Sequence, residues 1–459
     1  MTYNLLLDTD SYKASHWLQY PPGAEGMFSY VESRGGRYPA TVFFGLQYIL
    51  KTYLSQPLEQ WMVDEAQAFY QAHGVPFNAE GFTDIVERLD GRLPVRIGAV
   101  PEGSVVPVHN VLMTVESTDP KSFWLVSWLE TMLLRVWYPT TVATQSYYLR
   151  QLIYDYLVKT ADQPDAEIDF KLHDFGARGA SSRESSGIGG MAHLVNFKGS
   201  DTVQGVLYAN RTYNCPMAGF SIPAAEHSTM TAWGRSREVE AYQNMLQRFA
   251  QPGATVAVVS DSYDIWTAIA NLWGSKLKQQ VIDSGATVVI RPDSGNPKTV
   301  VMRCLYLLEE AFSTVKNTKG YKVLQHVRLI QGDGMNPQSI ATVLDAMTQQ
   351  GFSASNVAFG MGGALLQRVD RDTQRFAYKC SSINIHGAAT PVFKDPATDP
   401  GKRSKAGRLD LIRDELGYRT ITLEREPQQT QSVLETVYEN GTLLKEYDFE
   451  AVRANAIQG

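Results

Sequence analysis

One twelve-residue stretch constrains the fold more than any other part of the chain: Ala286–Pro297, with the sequence ATVVIRPDSGNP. It opens with an apolar, mostly β-branched run at 287–290, which is typical of a buried strand. Two prolines and a glycine then interrupt regular structure, and Arg291 and Asp293 stand at this break. The pattern predicts a rigid strand that ends by presenting a cation and a carboxylate on a stiff turn, as an enzyme site requires. A buried ion pair that only closes the strand end is the alternative.

The same pattern recurs along the central part of the chain. Short apolar runs lead into polar or glycine-rich breaks, and the last four runs begin about thirty to forty residues apart, the size of one strand-plus-helix unit. Repeated units of this kind place the carboxyl ends of their strands at one end of a barrel or sheet, where α/β enzymes build their sites. The breaks read HDFGAR (173–178), SDSYD (260–264), RPDSGNP (291–297), QGDG (331–334) and GMGG (360–363).

Length and composition bound the class of protein. A chain of 459 residues can bury a large core and should hold two or three domains. Lys and Arg total 42 against 48 Asp and Glu, a net charge of −6, which argues against a nucleic-acid binder or an anionic-membrane binder. Three cysteines are too few for a disulfide framework, and no basic leader or long apolar stretch stands in the sequence. We therefore expect a soluble, cytoplasmic protein with no membrane and no nucleic-acid partner.

The order of patterns suggests three regions. Residues 1–160 read as an α+β region with strands at 27–32, 92–106 and 111–115 and helices at 41–53, 58–73, 122–142 and 144–159. Residues 161–378 carry the strand-plus-helix series and therefore the candidate active site. Residues 379–459 are again strand-like and are expected to rejoin the N-terminal region.

His227 is the histidine best placed for chemistry. It stands in SIPAAEHST (221–229), where an apolar run breaks among small and hydroxyl residues. With an unperturbed pKa of about 6.5, an imidazole can act as a base or a nucleophile at neutral pH. A helix-start histidine bonded to Glu226 or to a backbone carbonyl is the alternative. No spacing resembles a set of metal ligands, so no structural zinc is predicted.

Three further features suit a phosphorylated sugar. Gly362 and Gly363 lie between a predicted strand and a predicted helix, where backbone N–H groups favour phosphate. Asp333 lies between two glycines and suits a sugar hydroxyl or a magnesium shell. The basic residues near the C-terminus suit either a polyphosphate clamp or a solvated loop. An α/β enzyme acting on a phosphorylated sugar and a non-catalytic sensor of such a ligand both fit, and turnover with magnesium distinguishes them.

The motifs HDFGARG, SIPAAEHST, SDSYDI, IRPDSGNP, QGDG and GMGG occur in one order, with DTDSYKASH before them and FKDP…KRSKAGR after them. In these motifs the sequence resembles the nicotinamide phosphoribosyltransferase family of type II phosphoribosyltransferases over essentially the whole chain. The resemblance implies an irregular α/β barrel with an accompanying α+β, β-rich domain, built from the N- and C-terminal parts. It also implies a homodimer with its active sites at the subunit interface.

The reaction that the resemblance implies joins nicotinamide to phosphoribosyl pyrophosphate, giving nicotinamide mononucleotide and pyrophosphate in NAD salvage. Mg²⁺ takes part, and ATP hydrolysis through a phosphohistidine drives the reaction forward. By the same resemblance, Phe175 and Arg291 sandwich the pyridine ring, with Tyr12 arriving from the partner subunit. Asp201 accepts a hydrogen bond from the carboxamide and repels the carboxylate of nicotinate. Nicotinate phosphoribosyltransferase is the alternative activity, and Asp201 argues against it.

The remaining roles follow from the same motifs. His227 resembles the phosphorylated histidine and Asp261 the carboxylate that orients it. Asp293 and Asp333 are expected to hold the ribose and the magnesium ion. The other expected contacts of the substrates are Arg178, Ser221, Gly332, Gly362 and Gly363. The basic groups expected to bind phosphates are Arg34, Arg371, Lys379, Lys394 and Lys402.

Overall fold

A computed structural model describes residues 3–398, 403–425 and 431–458. The chain forms two compact units. We call one the barrel unit, which comprises Gln145–Asn210 and Pro216–Val369. We call the other the sheet unit, which comprises Met1–Thr144, Arg211–Cys215 and Asp370–Gly459.

The strands of the described chain belong to one large sheet in each unit and to three small two-stranded sheets. They are β1 (Ala24–Ser33), β2 (Ala40–Val42), β3 (Val95–Ala99), β4 (Val105–Pro107), β5 (Val111–Ser117), β6 (Leu172–Asp174), β7 (Thr255–Val259), β8 (Thr287–Arg291), β9 (Thr314–Lys316), β10 (Lys322–Leu324), β11 (Val327–Gln331), β12 (Val357–Met361), β13 (Phe376–Ile385), β14 (Ala388–Pro391), β15 (Leu409–Asp414), β16 (Gly417–Thr422), β17 (Glu435–Glu439) and β18 (Thr442–Leu443).

The helices vary from single turns to one long helix that begins at Trp137. They are α1 (Leu46–Ile49), α2 (Gln60–His73), α3 (Ala79–Arg88), α4 (Leu125–Trp128), α5 (Glu130–Leu134), α6 (Trp137–Thr160), α7 (Pro164–Glu167), α8 (Arg183–His193), α9 (Val203–Thr212), α10 (His227–Thr231), α11 (Glu238–Phe249), α12 (Ile265–Thr267), α13 (Lys278–Ser284), α14 (Pro297–Phe312), α15 (Pro337–Gln349), α16 (Gly363–Leu366) and α17 (Phe449–Gln458). Ser11–Leu18 is a 3₁₀ helix, and Leu50–Leu54 and Ala268–Lys276 are π-helical.

The barrel unit is built on five parallel strands in the order β6-β12-β11-β8-β7. Leu329 of β11 lies opposite both Val357 of β12 and Ile290 of β8, so the strands are in close register. Because all five strands run in the same direction, their carboxyl ends meet at one end of the sheet. The strand-plus-helix series predicted from the sequence is confirmed.

Two irregular segments close this sheet into a ring. Residues around 200 form parallel bridges both to β6, through Asp174 and Ser200, and to the segment around 220, through Gly199 and Phe220. That segment continues to Ala224, which bridges to Ala257 of β7. The amide of Ala257 also donates to the carbonyl of Pro223 at 3.0 Å. The unit is therefore the irregular α/β barrel that was expected. The segments around 200 and 220 complete it through isolated bridges and not as regular strands.

The barrel interior is apolar near its centre. Ala257, Val289 and Ile330 come from the neighbouring strands β7, β8 and β11 and form one buried cluster. Phe175 and Ile222 pack against this cluster from the two sides where the irregular segments run. Burial of this cluster stabilises the ring, at roughly 25 cal/mol for each Å² of apolar surface removed from water.

The sheet unit contains an antiparallel sheet of seven strands in the order β14-β13-β1-β5-β3-β17-β18. The ten-residue strand β1 lies inside this sheet and pairs with β13 on one side and β5 on the other. The three strands from the start of the chain, β1, β5 and β3, therefore lie between two pairs of strands from its end. This confirms that the C-terminal part rejoins the N-terminal region to form a β-rich domain.

Three local predictions were wrong in their bounds. The predicted helix at 41–53 begins only at Leu46, after Gly45 with a φ of 96°, and continues to Leu54, whereas Thr41 and Val42 belong to β2. The predicted strand at 92–106 is divided into β3 and β4 by a turn at Gly103, whose φ is 90°. The predicted helix at 122–142 is divided into α4, α5 and the start of α6, and α6 continues through residue 143 to Thr160, with Pro139 in its first turn, where proline is tolerated.

Across the ranges 3–398, 403–425 and 431–458, no helix is long and apolar enough to cross a membrane.

Candidate active site

The end of β8 carries the Arg–Asp pair on which the sequence analysis began. After Arg291 the chain turns through Asp293 and Gly295, which has a φ of 86°, and α14 then begins at Pro297. A guanidinium N–H of Arg291 lies 3.7 Å from Asp293 Oδ2. The Nε atom of Arg291 is buried without a hydrogen-bond partner among the described residues. The cation is thus held at the strand end but keeps hydrogen-bonding capacity for a ligand.

Asp261, at the end of β7, fixes the turn that follows β8. Its Oδ2 atom accepts a hydrogen bond from the amide of Asp293 at 2.9 Å and one from the hydroxyl of Ser294 at 2.6 Å. Its Oδ1 atom is buried and has no hydrogen-bond partner within the described chain. Such an unsatisfied carboxylate oxygen is costly unless a donor or cation approaches it.

His227 faces these carboxylates from the first position of α10. Its Nε2 atom lies 3.5 Å from Asp293 Oδ2 and 3.8 Å from Asp261 Oδ1. Its Nδ1 atom lies 3.1 Å from the hydroxyl of Ser262. The imidazole is about half exposed, at 46% of its side-chain surface. The structure thus brings together three of the predicted catalytic residues, which come from separate segments of the chain.

Glu226 does not hold the His227 ring, contrary to the alternative reading of this histidine. The carboxylate of Glu226 accepts from Ser228 and caps the helix together with Thr229. Ser262 is a contact of His227 that the sequence analysis did not single out. Its only signal was its position beside Asp261 in the polar break after β7.

Phe175 lies at the mouth of the barrel because glycines leave room for it. Its amide donates to the carbonyl of Met361 at 3.0 Å, which fixes the backbone after β6. A Cβ atom at Gly360 would lie 1.9 Å from the ring, and one at Gly332 would lie 3.3 Å from the ring and 3.5 Å from Asp293 Oδ1. The aromatic ring, Gly332 and Asp293 therefore surround one space. Gly360 was not among the predicted site residues, although its place in the glycine run after β12 was a signal.

Asp201 and Ser221 lie on the two irregular segments that close the barrel, and their side chains contact each other. The Ser221 hydroxyl donates a short hydrogen bond to Asp201 Oδ1, and the Asp201 amide donates to the carbonyl of Asp174 at 2.9 Å. Asp201 forms no ion pair with any described residue, and its carboxylate is accessible to solvent. The nearby His173 is buried, which lowers its pKa and keeps its ring neutral. The carboxylate is therefore held in place without being neutralised.

Asp174 supports this arrangement from the core. It is fully buried, which raises its pKa from 3.8 to about 6, although the amide of Gly176 donates to it at 2.7 Å. Its Oδ2 atom has no hydrogen-bond partner in the described chain. The sequence analysis assigned no role to Asp174, because a single Asp before Phe175 gives no sign of burial.

The glycine loop after β12 lies against the turn that carries Arg178. Arg178 is exposed in a short 3₁₀ turn, Ala177–Gly179. A Cβ atom at Gly179 would lie 3.3 Å from the Cα atom of Gly363, whereas one at Gly363 would meet nothing within 4 Å. The turn that carries Arg178 thus lies beside the open backbone of Gly363, and such glycine backbone N–H groups and a nearby arginine suit a phosphate.

Asp333 completes the set of polar groups at the strand ends. It follows β11 in the turn before Gly334, which has a φ of 70°. The Gln331 amide group donates to the backbone carbonyl of Asp333 at 2.9 Å and fixes the turn. The Asp333 side chain is exposed and free of ion pairs with described residues.

The predicted phosphate-binding residues of the sheet unit line one cavity of about 620 Å³. These are Arg34, Arg371, Lys379 and Lys394. Burial lowers the pKa of Lys379, and the charges of Arg34 and Lys394 act in the same direction, whereas Glu130 opposes them. Lys402 lies outside the described residues. Tyr12 is on the 3₁₀ helix of this unit and exposes 60% of its surface.

Comparisons with known proteins show the family of this chain. Residues 170–442 match the model of the nicotinate phosphoribosyltransferase (NAPRTase) family, and residues 4–97 match the nicotinamide phosphoribosyltransferase N-terminal domain. The chain is 60% identical over 458 residues to a nicotinamide phosphoribosyltransferase of Xanthomonas campestris pv. campestris, covering 99% of this chain and 98% of the relative. It is 32% identical over 494 aligned residues to a protein of the same name from Acinetobacter baylyi, covering 99% and 97%.

Two solved structures share the fold. A nicotinate-nucleotide pyrophosphorylase from Pyrococcus furiosus has a TM-score of 0.64 at 15% identity, covering 100% of this chain and 96% of that one. Human nicotinic acid phosphoribosyltransferase has a TM-score of 0.57 at 17% identity, covering 98% and 93%. At such identities the likeness concerns the fold alone. The family match over more than half of the chain and the full-length similarity to the Xanthomonas protein show that this chain belongs to the nicotinate phosphoribosyltransferase family.

Proposed function

We propose that this chain is a nicotinamide phosphoribosyltransferase, which forms nicotinamide mononucleotide and pyrophosphate from nicotinamide and phosphoribosyl pyrophosphate in NAD salvage. Asp201 is the observation that carries the choice of base. Its carboxylate is held by Ser221 and has no basic partner among the described residues. It therefore accepts a hydrogen bond from the carboxamide NH₂ of nicotinamide but repels the carboxylate of nicotinate. The 60% identity to a relative named for this activity supports the same choice.

The pyridine ring lies between Phe175 and Arg291 in this proposal. Both side chains stand at carboxyl ends of barrel strands, and both are fixed by their backbones. An aromatic ring gains about 0.5–1.5 kcal/mol from stacking on another ring and about 0.5–2 kcal/mol from a flat cation above it. Arg291 provides the cation, and its buried Nε–H provides a donor that has no other described partner.

The reaction is a displacement at the anomeric carbon. The pyridine nitrogen donates its lone pair to C1′, and the bond from C1′ to the pyrophosphate oxygen breaks with its electrons leaving on pyrophosphate. No proton is transferred at the ring nitrogen, which becomes a pyridinium. The carboxylates of Asp293 and Asp333 stabilise the positive charge that develops on the ribose. Holding the pyridine nitrogen of one substrate against C1′ of the other supplies the rest of the rate enhancement.

Asp293 and Asp333 suit a magnesium ion that arrives with the substrate. The described residues contain no cluster of three side chains that could hold a metal alone. Mg²⁺ in phosphate-transferring sites is commonly held by one or two carboxylates plus phosphate oxygens and water, which matches two aspartates at adjacent strand ends. The ion would reduce the negative charge of the leaving pyrophosphate. Arg178, Gly362 and Gly363 bind the 5′-phosphate in the same proposal.

ATP hydrolysis is coupled to this reaction through His227. The two carboxylates that face Nε2 favour a proton on that nitrogen, which leaves the lone pair on Nδ1, beside Ser262. This lone pair attacks the γ-phosphorus of ATP, the bond to the β-phosphate oxygen breaks, and ADP leaves. Water later hydrolyses the phosphohistidine. Asp261 and Asp293 stabilise the positive charge that the ring gains.

The chain acts as a homodimer in this proposal, in which Tyr12 of one copy serves the site of another. Tyr12 supports the assignment because it is exposed on a helix that is itself firmly anchored. Lys13, the next residue, is buried and forms an ion pair with Glu130 at 2.7 Å. A large aromatic side chain on a fixed element is a common anchor of protein interfaces. Chemical cross-linking or light scattering tests the dimer, and a monomeric, fully active enzyme would contradict it.

We also infer a cytoplasmic location from the three cysteines. Cys215, Cys304 and Cys380 are free thiols, which favours a reducing compartment. Fractionation of cells followed by detection of the protein tests this assignment, and recovery from an oxidising compartment would contradict it.

The experiment that tests the proposed function follows product formation from phosphoribosyl pyrophosphate, Mg²⁺ and nicotinamide, with and without ATP. We expect nicotinamide mononucleotide in both reactions and a higher rate with ATP. With γ-labelled ATP the protein should become labelled, and His227→Ala should not. Absence of mononucleotide would contradict the activity, whereas mononucleotide formation without labelling would contradict only the coupling.

A further inference from the structure

The cavity of the sheet unit holds more positive charge than the predicted phosphate-binding residues account for. Its lining includes two acidic residues, Glu130 and Asp372. Against these stand five basic residues: Arg34, Arg371, Arg375, Lys379 and Lys394. The excess of cations favours an anionic ligand with more than one charge. Arg375 is the one of the five to which the sequence analysis assigned no role.

The other charged groups of the cavity are partly engaged. Arg34 donates to Glu32 at 2.8 Å, and Arg371 lies 3.0 Å from the neighbouring Asp372. The Glu130 carboxylate is paired with Lys13 and is thus partly neutralised. The guanidinium of Arg375, by contrast, has no hydrogen bond or ion pair with any residue that the structure describes, and it is exposed. Its charge is available to a ligand of the cavity.

The backbone of Arg375 is held in an unusual conformation. Its φ is 48°, in the left-handed region that glycine and asparagine adopt at lower cost than arginine. Three hydrogen bonds from the turn after β1 fix this conformation. The Arg34 amide donates to the carbonyl of Arg375 at 3.2 Å, and Ser33 and Tyr38 donate to Gln374 at 2.7 Å and 2.8 Å.

An exposed arginine in a strained and firmly fixed position commonly serves a ligand. The neighbouring cavity residue Ala377 has no side-chain hydrogen-bond donor, so its side chain cannot bind a phosphate as an arginine does. A guanidinium has a flat face of N–H groups that binds two phosphate oxygens at once, which an ammonium does not do. Because the backbone of Arg375 is already fixed, binding orders only its side chain.

We propose that Arg375 is a further phosphate-binding residue of this cavity and binds a diphosphate group through two parallel N–H···O contacts. The inference rests on the proposed function and on the expectation from the resemblance that the other basic residues of this cavity bind phosphates of the substrates. Two sources supply a diphosphate: pyrophosphate with phosphoribosyl pyrophosphate, and ATP. The shared chemistry is the diphosphate, and the binding experiment separates the sources.

Isothermal titration of the full-length protein with inorganic pyrophosphate and, separately, with ATP tests the proposal. Arg375→Asn removes the charge but keeps a residue that tolerates the left-handed backbone, so the variant should melt at the same temperature or higher. We expect a Kd about tenfold weaker for at least one of the two ligands, since hydrogen bonds to charged groups are the strong ones. The Kd of Arg375→Lys should lie between those of the unmodified protein and Arg375→Asn, because lysine keeps the charge but cannot form two parallel hydrogen bonds.

The matched control is Arg413→Asn, which removes the same charge from the same unit. Arg413 lies on β15, over the ring of Tyr418, and does not line the cavity. Its variant should bind both ligands within twofold of the unmodified protein. Arg375→Gly serves as a second folded variant that also relieves the backbone, and it should weaken binding as much as Arg375→Asn.

Weaker binding of pyrophosphate alone would place Arg375 at the phosphates of phosphoribosyl pyrophosphate, and weaker binding of ATP alone would place it at the nucleotide. Unchanged binding of both ligands by Arg375→Asn would overturn the proposal, as would an equal loss in Arg413→Asn. Mononucleotide synthesis is also measured with the same unmodified preparation, and it shows whether the proposed function itself holds. An active enzyme whose Arg375 variants bind normally would refute only the role of Arg375.

Discussion

Replacing Gly360 by alanine tests the geometry of the base site, because this glycine leaves the space that the Phe175 ring occupies. A Cβ atom at residue 360 would lie 1.9 Å from Cε2 and 2.2 Å from Cδ2 of Phe175, whereas ordinary contacts begin at 3.4 Å. The ring must therefore retreat by about 1.5 Å. Most of its overlap with a stacked pyridine is then lost.

The expected cost follows from the stacking energy. Aromatic pairs are worth about 0.5–1.5 kcal/mol beyond the area they bury, so lost stacking and lost burial together should cost about 1–2 kcal/mol. This corresponds to a KM for nicotinamide that is about 5- to 30-fold higher. The KM for phosphoribosyl pyrophosphate should change little, since the ring is assigned to the base alone.

Initial rates measured with varied nicotinamide at saturating phosphoribosyl pyrophosphate give the KM for nicotinamide, and rates with varied phosphoribosyl pyrophosphate at saturating nicotinamide give the other KM. Phe175→Leu and the double variant complete a cycle with Gly360→Ala. In the Phe175→Leu background the added alanine should cost little, because the ring that it displaces is gone. If Gly360→Ala leaves the KM within twofold, or if the two effects add in full, Phe175 does not stack on the base as proposed.

Three other substitutions test separate parts of the account. Asp201→Asn should lower the ratio of kcat/KM for nicotinamide over nicotinate at least about tenfold, because a neutral amide no longer repels a carboxylate; an unchanged ratio would place selectivity elsewhere. His227→Ala should abolish stimulation by ATP but leave ATP-independent synthesis, and equal stimulation in the variant would remove His227 from the coupling. Burial raises the pKa of Asp174 from 3.8 to about 6, so its stabilising contribution is present below pH 4 and lost as the pH rises through 6. Asp174→Asn should thus gain about 3 kcal/mol of unfolding free energy relative to the unmodified protein between pH 4 and pH 7, measured in urea; a difference independent of pH would contradict this.

The strand ends of the barrel could be predicted because each one has a local signal. An apolar run such as 287–290 indicates a buried strand, and the Arg, Asp, Pro and Gly residues after it can only lie at its end. Parallel strand-plus-helix units then bring these ends together without any knowledge of side-chain contacts. Asp261 and Asp293 lie close together for this reason.

The closure of the barrel had no such signal. The segments that carry Asp201 and Ser221 form isolated bridges instead of strands, so no alternation of polar and apolar residues marks them. The hydrogen bond between these two side chains joins residues twenty positions apart and depends on how the ring closes. Their place in the site came from the resemblance, and the residues alone did not predict it.

The space around a residue and the burial of its side chain also could not be predicted from the sequence. Nothing local indicates that Gly360 must be small because of the Phe175 ring, or that Asp174 is fully buried. The start of the predicted helix at 41–53 was placed too early for a related reason. Its apolar residues were read as a helical pattern, but Gly45 takes a left-handed conformation, and Val42 before it pairs with β4 instead.

Competition between nicotinamide and nicotinate tests most directly the central claim that Asp201 selects nicotinamide. The unmodified protein is mixed with phosphoribosyl pyrophosphate, Mg²⁺, ATP and equal concentrations of nicotinamide and nicotinate, and the two mononucleotides are separated and counted. The account predicts that nicotinamide mononucleotide greatly exceeds nicotinate mononucleotide, because the Asp201 carboxylate faces the amide or carboxylate of the base. An excess of nicotinate mononucleotide would contradict the role of Asp201 and assign the chain to the other base.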